Sequence, residues 1–222
     1  MATTASFNGL VPVNMIGGAP YNGGARREYI VAANNSAAMF NGDLIELSTA
    51  GLPAARTSTP VAIKIPSTAA DATAGIMGVF VGCRYVDANG VQQFAQYLPA
   101  NATTAGFTDI NIFVNDDPRQ LYRVVGSAAL GTFNSGTDGS GFPGAIGMNA
   151  ALGNFSSGST ATGNSGVNLV VGSNGGSLAA TSTLAMRIVD VVRGTENDNF
   201  PEFIVKFNVG VHSYDNSLGL AV

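Results

Sequence analysis

Few side chains in this sequence have the types that chemistry requires, chiefly His212, Cys83 and the adjacent pair Asp116-Asp117. His212 is the sole histidine and Cys83 the sole cysteine, which excludes a multi-histidine metal centre, a zinc site made from these two alone and an internal disulfide framework. A Ser, His and Asp triad needs a turn such as Gly-x-Ser-x-Gly to expose its nucleophile, and none is present. His212 is therefore expected at a strand end, bonded to backbone or facing water. Cys83 lies inside an apolar run and is expected as a small buried hydrophobe. The stretch Asn115-Asp116-Asp117-Pro118 has the residues of a turn. Two neighbouring carboxylates can hold a hard cation or serve acid and base chemistry, but adjacent residues in a turn point in different directions. Gly139-Ser140-Gly141-Phe142-Pro143-Gly144 matches a dinucleotide-binding pattern, yet glycine-rich chain follows it and no acid occurs between Asp138 and Asp190, so the context of strand, helix and acid is missing. Asn101-Ala102-Thr103 and Asn154-Phe155-Ser156 fit the glycosylation pattern and carry no meaning without a secretory route. No enzyme, cofactor or metal site is expected from these residues.

The elements that would have to position any site read as strands throughout. Two runs in the first half organise the chain. In Phe40-Asn41-Gly42-Asp43-Leu44-Ile45-Glu46-Leu47 a Gly-Asp turn leads into a strand of imperfect alternation. Gly75-Ile76-Met77-Gly78-Val79-Phe80-Val81-Gly82-Cys83-Arg84-Tyr85 is apolar on both faces, with glycines where another backbone comes close, as in a barrel or a packed sheet. Arg27 to Ala32 forms a further short strand, and Asp87-Ala88-Asn89-Gly90 marks a tight hairpin. Val61 to Ile65 is expected at an edge or in a surface loop. Asp109 to Val114 and Leu121 to Val125 are expected as a pair across the Asx-rich turn, and Leu184 to Val192 and Phe203 to Val209 as the last two strands. No stretch shows helical periodicity.

Charged residues are 11% of the chain against about 25% in an ordinary globular protein, and 29 of 222 residues are glycine. A surface so poor in charge is weakly protected against association and suits a protein in lasting contact with other protein. The net charge of −4 and the scattered cations, with Arg26-Arg27 the only adjacent pair, argue against nucleic-acid binding. No apolar run reaches the ~18 residues of a membrane helix, and Met1-Ala2-Thr3-Thr4 lacks the basic start of a signal peptide, so no membrane partner and synthesis in a cytoplasm are expected.

The domain division expected is an extended N-terminal arm over residues 1 to 25 and a β-rich domain over 26 to 222. Prolines and glycines in Val11-Pro12-Val13-Asn14-Met15-Ile16-Gly17-Gly18-Ala19-Pro20-Tyr21 argue against a helix or a central strand, while the apolar side chains call for burial on something else. From Gly126 to Thr183 the only charged residue is Asp138. That Gly, Ser and Ala-rich excursion still carries Leu130, Phe133, Phe142, Ile146, Met148, Leu152, Phe155, Val167, Leu169, Val170 and Val171, which predicts ordered, irregular packing rather than a solvated linker.

Three segments resemble structural proteins of tailed bacteriophages that decorate or cement the head. They are Val11 to Gly23, Met39 to Ile45 with Met77 to Tyr85, and Ala185 to Val192; Thr160 to Asn168 and Lys206 to Tyr214 are similar too. All are structural signatures. The resemblance implies an all-β fold with a β-barrel or β-tulip-like domain, placed on the outer surface of the capsid of a virion, with the major capsid protein and further copies of itself, as a homotrimer, for partners. It also implies that the arm grips the shell, with Val11, Pro12, Val13, Met15, Ile16, Pro20 and Tyr21 as the contact residues. On this reading residues 1 to 22 are removable without unfolding the rest. A tail, fibre or minor shell component is the alternative, and a hydrolase using His212 or the acidic pair a remote one.

Overall fold

The computed structural model describes residues 6–20, 26–31, 35–47, 61–64, 75–131, 144–172 and 175–215. The fold is all-β, with fourteen strands and no α-helix among the described residues. The strands form two six-stranded sheets and one two-stranded ribbon.

One sheet contains β2 (Arg27–Val31), β4 (Leu44–Leu47), β5 (Val61–Lys64), β6 (Ile76–Val86), β7 (Gln92–Ala95) and β9 (Thr108–Asn115), in the order β4-β5-β2-β9-β6-β7 with a further β4–β6 pairing. Because β4 pairs with both β5 and β6, five of these strands close into a ring, and β7 extends it from the far half of β6. The hairpin joining β6 to β7 is the predicted one: Asp87 accepts backbone hydrogen bonds from Asn89 and Val91 at 2.9 and 3.0 Å. The Val61 patch was expected at an edge or in a loop. Instead β5 is an inner strand, parallel to β2 and antiparallel to β4, its four residues hidden in sequence by the Thr, Ala, Ser and Pro around them.

The other sheet has the order β1-β10-β14-β13-β11-β12, from β1 (Val11–Met15), β10 (Gln120–Val125), β11 (Asn149–Gly153), β12 (Asn168–Val170), β13 (Met186–Val191) and β14 (Glu202–Phe207). It curls back on itself, since Gly126 bridges Leu169 and the Ser127 amide donates to the Leu169 carbonyl at 2.8 Å. The excursion of residues 126 to 183 thus supplies β11 and β12, and Leu130, Leu152, Phe155, Val167, Leu169 and Val171 are buried in its core, with Met148 packed against it, whereas Val170 is half-buried and Ile146 exposed. Phe133 and Phe142 lie outside the described residues. β13 and β14 pair as expected. The expected pairing of Asp109–Val114 with Leu121–Val125 does not occur: β9 and β10 belong to different sheets, so the Asn115 to Arg119 turn carries the chain from one to the other. A short ribbon of β3 (Met39–Phe40) and β8 (Tyr97–Leu98) completes the set, with the Phe40 and Tyr97 rings stacked at 5.6 Å.

Each sheet encloses its own core, and β4 and β6 form the wall between the two. Leu44, Ile76 and Val79 face the core of the β10–β14 sheet, whereas Ile45, Met77, Phe80 and Cys83 face the core of the ring. Neighbouring residues of a strand point to opposite faces, and the register shift between Ile45 and Glu46 adds a change of phase in β6, so that Met77 and Val79, two residues apart, also serve opposite cores. Burying a large apolar side chain contributes about 1.5 to 3 kcal/mol, and a two-sided wall gains this on both faces. That is the physical reason for the run's lack of alternation. The Gly42-Asp43 turn seals the junction. Asp43 is fully buried and accepts from the Phe40 amide at 2.7 Å and from the Ser165 hydroxyl at 2.5 Å, while the Gly42 carbonyl accepts from the Leu10 amide at 3.1 Å.

Candidate functional site

The turn after β9 and the chain end after β14 meet beside β2, and there the fold gathers the residues with chemical potential. Tyr29, in β2, is buried with its hydroxyl donating to Asp116 Oδ2 at 2.7 Å. It also lies 3.2 Å from the Tyr214 hydroxyl and 3.4 Å from Met77 Sδ. Arg27, two residues earlier on the strand, places Nε 3.3 Å from Asp116 Oδ2 and donates from Nη1 to the Tyr214 hydroxyl at 3.0 Å. Its guanidinium also stands over the Tyr214 ring, 5.2 Å from the centroid. The Asp116 carboxylate raises the arginine's pKa. Burial, with hydrogen bonds to Tyr214 and Asp116, pushes the Tyr29 phenol far up, so it remains a protonated donor across the ordinary pH range.

His212 stands next to this group. Its neighbour Val211 is buried in the core of the β10–β14 sheet. The backbone of His212 runs parallel to Ile76 as an isolated bridge, and the Ser213 amide donates to the Ile76 carbonyl at 2.8 Å. The ring is 1% exposed, lies 5.5 Å from the Phe207 ring and 5.7 Å from the Tyr214 ring, and accepts the Tyr214 amide on Nδ1 at 3.2 Å. Its Nε2 has no hydrogen-bond partner among the described residues. Burial lowers the histidine's pKa, against the opposing pull of Asp116, Asp215, the Met77 backbone and Asp117. His212 and the acidic pair, which sequence spacing leaves unconnected, are thus brought together by the fold. What the arrangement does is tie chain segments: Arg27 and Tyr29, both anchored on Asp116, hold Tyr214 by its ring and hydroxyl, and His212 holds it by its amide. Among the described residues no group of three or more His, Cys, Asp or Glu side chains is placed to hold a metal ion.

Cys83 is buried, with Sγ 3.6 Å from the Ala95 carbonyl and 3.5 Å from the Tyr97 carbonyl. Burial pushes the thiol up to about 12. Outside it lies an open depression lined by Arg26, Val81, Gly82, Phe94 and Phe113, in which the Arg26 guanidinium stands 4.8 Å from the centroid of Phe113 and Phe94 is 71% exposed.

The residues expected to contact a partner sit elsewhere. Val11, Pro12, Val13 and Met15 are half-buried and form β1, the edge strand of its sheet, paired to β10 through Val11 with Arg123, Pro12 with Tyr122 and Met15 with Gln120. Ile16 is 45% exposed and Pro20 is exposed, beyond a turn in which the Met15 amide donates to the Ala19 carbonyl at 2.8 Å. Tyr21 lies outside the described residues. Leu10, just before β1, is 1% exposed and belongs to the core. The segment is therefore an edge of the sheet, and removing residues 1 to 22 would take a core side chain, Leu10, and a paired strand with them.

The site and fold define an all-β protein of two cores sharing a wall, with an apolar edge strand and a buried tyrosine, aspartate and histidine cluster pinning the chain after β14. No protein-family model matches the chain, and neither a curated protein nor a solved structure is similar enough to be matched.

Proposed function

We propose that this chain is a structural protein of a tailed-bacteriophage particle, a decoration or cement protein on the outer surface of the head that binds the major capsid protein and further copies of itself. The observation that carries this reading is β1: an edge strand with half-buried Val11, Val13 and Met15, followed by an exposed Ile16. An edge strand offers backbone hydrogen bonds and alternate apolar side chains to an added strand. The low charge of the chain, 11%, leaves little to repel a partner there, and the resemblance of the segments around β1, β4, β6 and β13 to head-decorating proteins supports the same assignment. In this reading the small cores and the buried Asp43 junction serve as a rigid block that carries the edge to the shell.

The test is to purify particles of the phage that encodes the chain and to quantify and locate it. The expected result is hundreds of copies per particle, labelled by antibody over the head. Labelling confined to the tail or its fibres would assign it to a different virion part, and absence from the particle would end the proposal.

A further inference from the structure

We propose that residues 212 to 215 form a proton-operated latch, in which proton uptake by His212 breaks its bond to the Tyr214 amide and releases the segment from the start of β6. The proposal is independent of the virion reading.

Nδ1 accepts the Tyr214 amide at 3.2 Å, so the neutral ring carries its hydrogen on Nε2. A second proton must go to Nδ1, and that atom already faces a donor. The charged ring thus has two N–H groups, one opposed by the Tyr214 amide and the other, on Nε2, without an acceptor among the described residues. It would also be a cation in a site 1% exposed and flanked by the Phe207 ring. Burying an unpaired charge is far costlier than burying the neutral ring.

The groups facing His212 do not remove that cost. Asp116 and Asp117 approach from the turn after β9, Asp215 from its own segment and the Met77 backbone from β6, and all four favour the cation. Asp116 is already engaged by Arg27 and Tyr29 of β2. Glu46 of β4 lies across the opposite edge of β6, opposite Ile76, and burial raises its own pKa. Desolvation prevails, and the ring's pKa in the latched state lies below its ordinary 6.5. Since the open segment binds the proton more readily, the latch is at full strength above about pH 6.5 and weakens as pH falls towards the latched-state value. Beyond Val211, which stays in the core of the β10–β14 sheet, few bonds hold the segment: Ser213 amide to Ile76 carbonyl at 2.8 Å and the hold of Arg27 and Tyr29 on the Tyr214 hydroxyl. Such a segment can open locally without unfolding either core.

The single histidine makes the test unambiguous. On the full chain, the ring signal of His212 is followed by NMR from pH 8 to pH 4.5, together with amide-exchange protection of Ser213 and Tyr214 corrected for intrinsic exchange. The expected result is a ring midpoint below 6.5 and a population of the open segment at pH 5 that rises by up to about thirty-fold over pH 8, while protection in β13 is unchanged. His212→Asn keeps an acceptor for the Tyr214 amide without titrating and is expected to abolish the pH response; Glu46→Gln is expected to keep it. Unchanged protection, a ring midpoint at or above 6.5, a pH response retained in His212→Asn, or one lost in Glu46→Gln would each overturn the latch. If His212→Asn fails to fold, the wild-type data decide: the midpoint of amide opening must follow that of the ring.

Discussion

At the scale of single residues, the structure separates side chains whose roles are local from those whose roles depend on distant partners. Cys83 is of the first kind. An apolar run of strand character predicts a buried thiol, and burial does push it up to about 12. Only the thiolate reacts readily, so on the order of one thiol in ten thousand is reactive at pH 8, since burial outweighs the backbone hydrogen bond of Ala95 that favours the anion. Alkylation of the native chain at pH 8 is therefore expected to run at least about a hundred-fold slower than alkylation in urea. Comparable rates would show that the β6–β7 hairpin opens freely around Cys83. Tyr29 is of the second kind. Its partners Asp116 and Tyr214 lie 87 and 185 positions away, and no spacing rule links a strand tyrosine to either. A reading by motif weighs His212 and Asp116 one at a time and finds little in each. Their meaning arises only when three chain segments converge.

At the scale of elements, β6 was legible as a strand with two apolar faces and close backbone neighbours, and the structure explains each feature. Gly78 is where β6 meets the end of β9: a Cβ there would sit 2.1 Å from the Asn115 carbonyl oxygen and 2.9 Å from its carbon. Both obstacles are backbone, so no rotamer relieves them, and the strand would have to part from β9 within the wall shared by both cores. Gly78→Ala is expected to destabilise the protein by about 3 kcal/mol or more, measured as a lower urea midpoint. At Gly90, in the exposed β6–β7 turn, nothing lies within 4 Å of a new Cβ; its φ of +80° leaves only the backbone penalty, and Gly90→Asn, which tolerates that conformation, is expected to be mild. Equal losses at the two sites would contradict the close contact at Gly78. What the sequence did not disclose is which strands pair. A turn of Asn, Asp and Pro between two strands reads as a hairpin, yet β9 and β10 belong to separate sheets, and both hydrogen-bonding edges of β10 are taken by β1 and β14 rather than by the strand before it.

At the scale of the molecule, the edge strand β1 is where the fold and the proposed function meet, and the two make different demands on it. The fold uses Leu10, buried in the core, and the pairing of β1 with β10. A partner can use what remains outside: Ile16 and the outer flanks of Val11, Val13 and Met15. Deleting residues 1 to 16 removes both, and the lost leucine alone costs about 2 to 5 kcal/mol, so impaired head binding by such a truncation would report unfolding as readily as lost contact. Ile16→Asp separates them. Its side chain is 45% exposed, and a charge placed there meets water in the free protein, so the thermal midpoint is expected to stay within about 2 °C, consistent with a surface change of less than about 0.5 kcal/mol. Against an apolar groove on the shell, the same carboxylate would be desolvated without a partner. Binding to heads that lack the protein is expected to weaken at least about ten-fold, the equivalent of 1.4 kcal/mol per site, and because many copies share the shell, decorated particles should release DNA at a lower temperature. Undiminished binding by a folded Ile16→Asp variant would move the contact surface away from β1, and the exposed Phe94 beside Arg26 and Phe113 would be the next face to substitute.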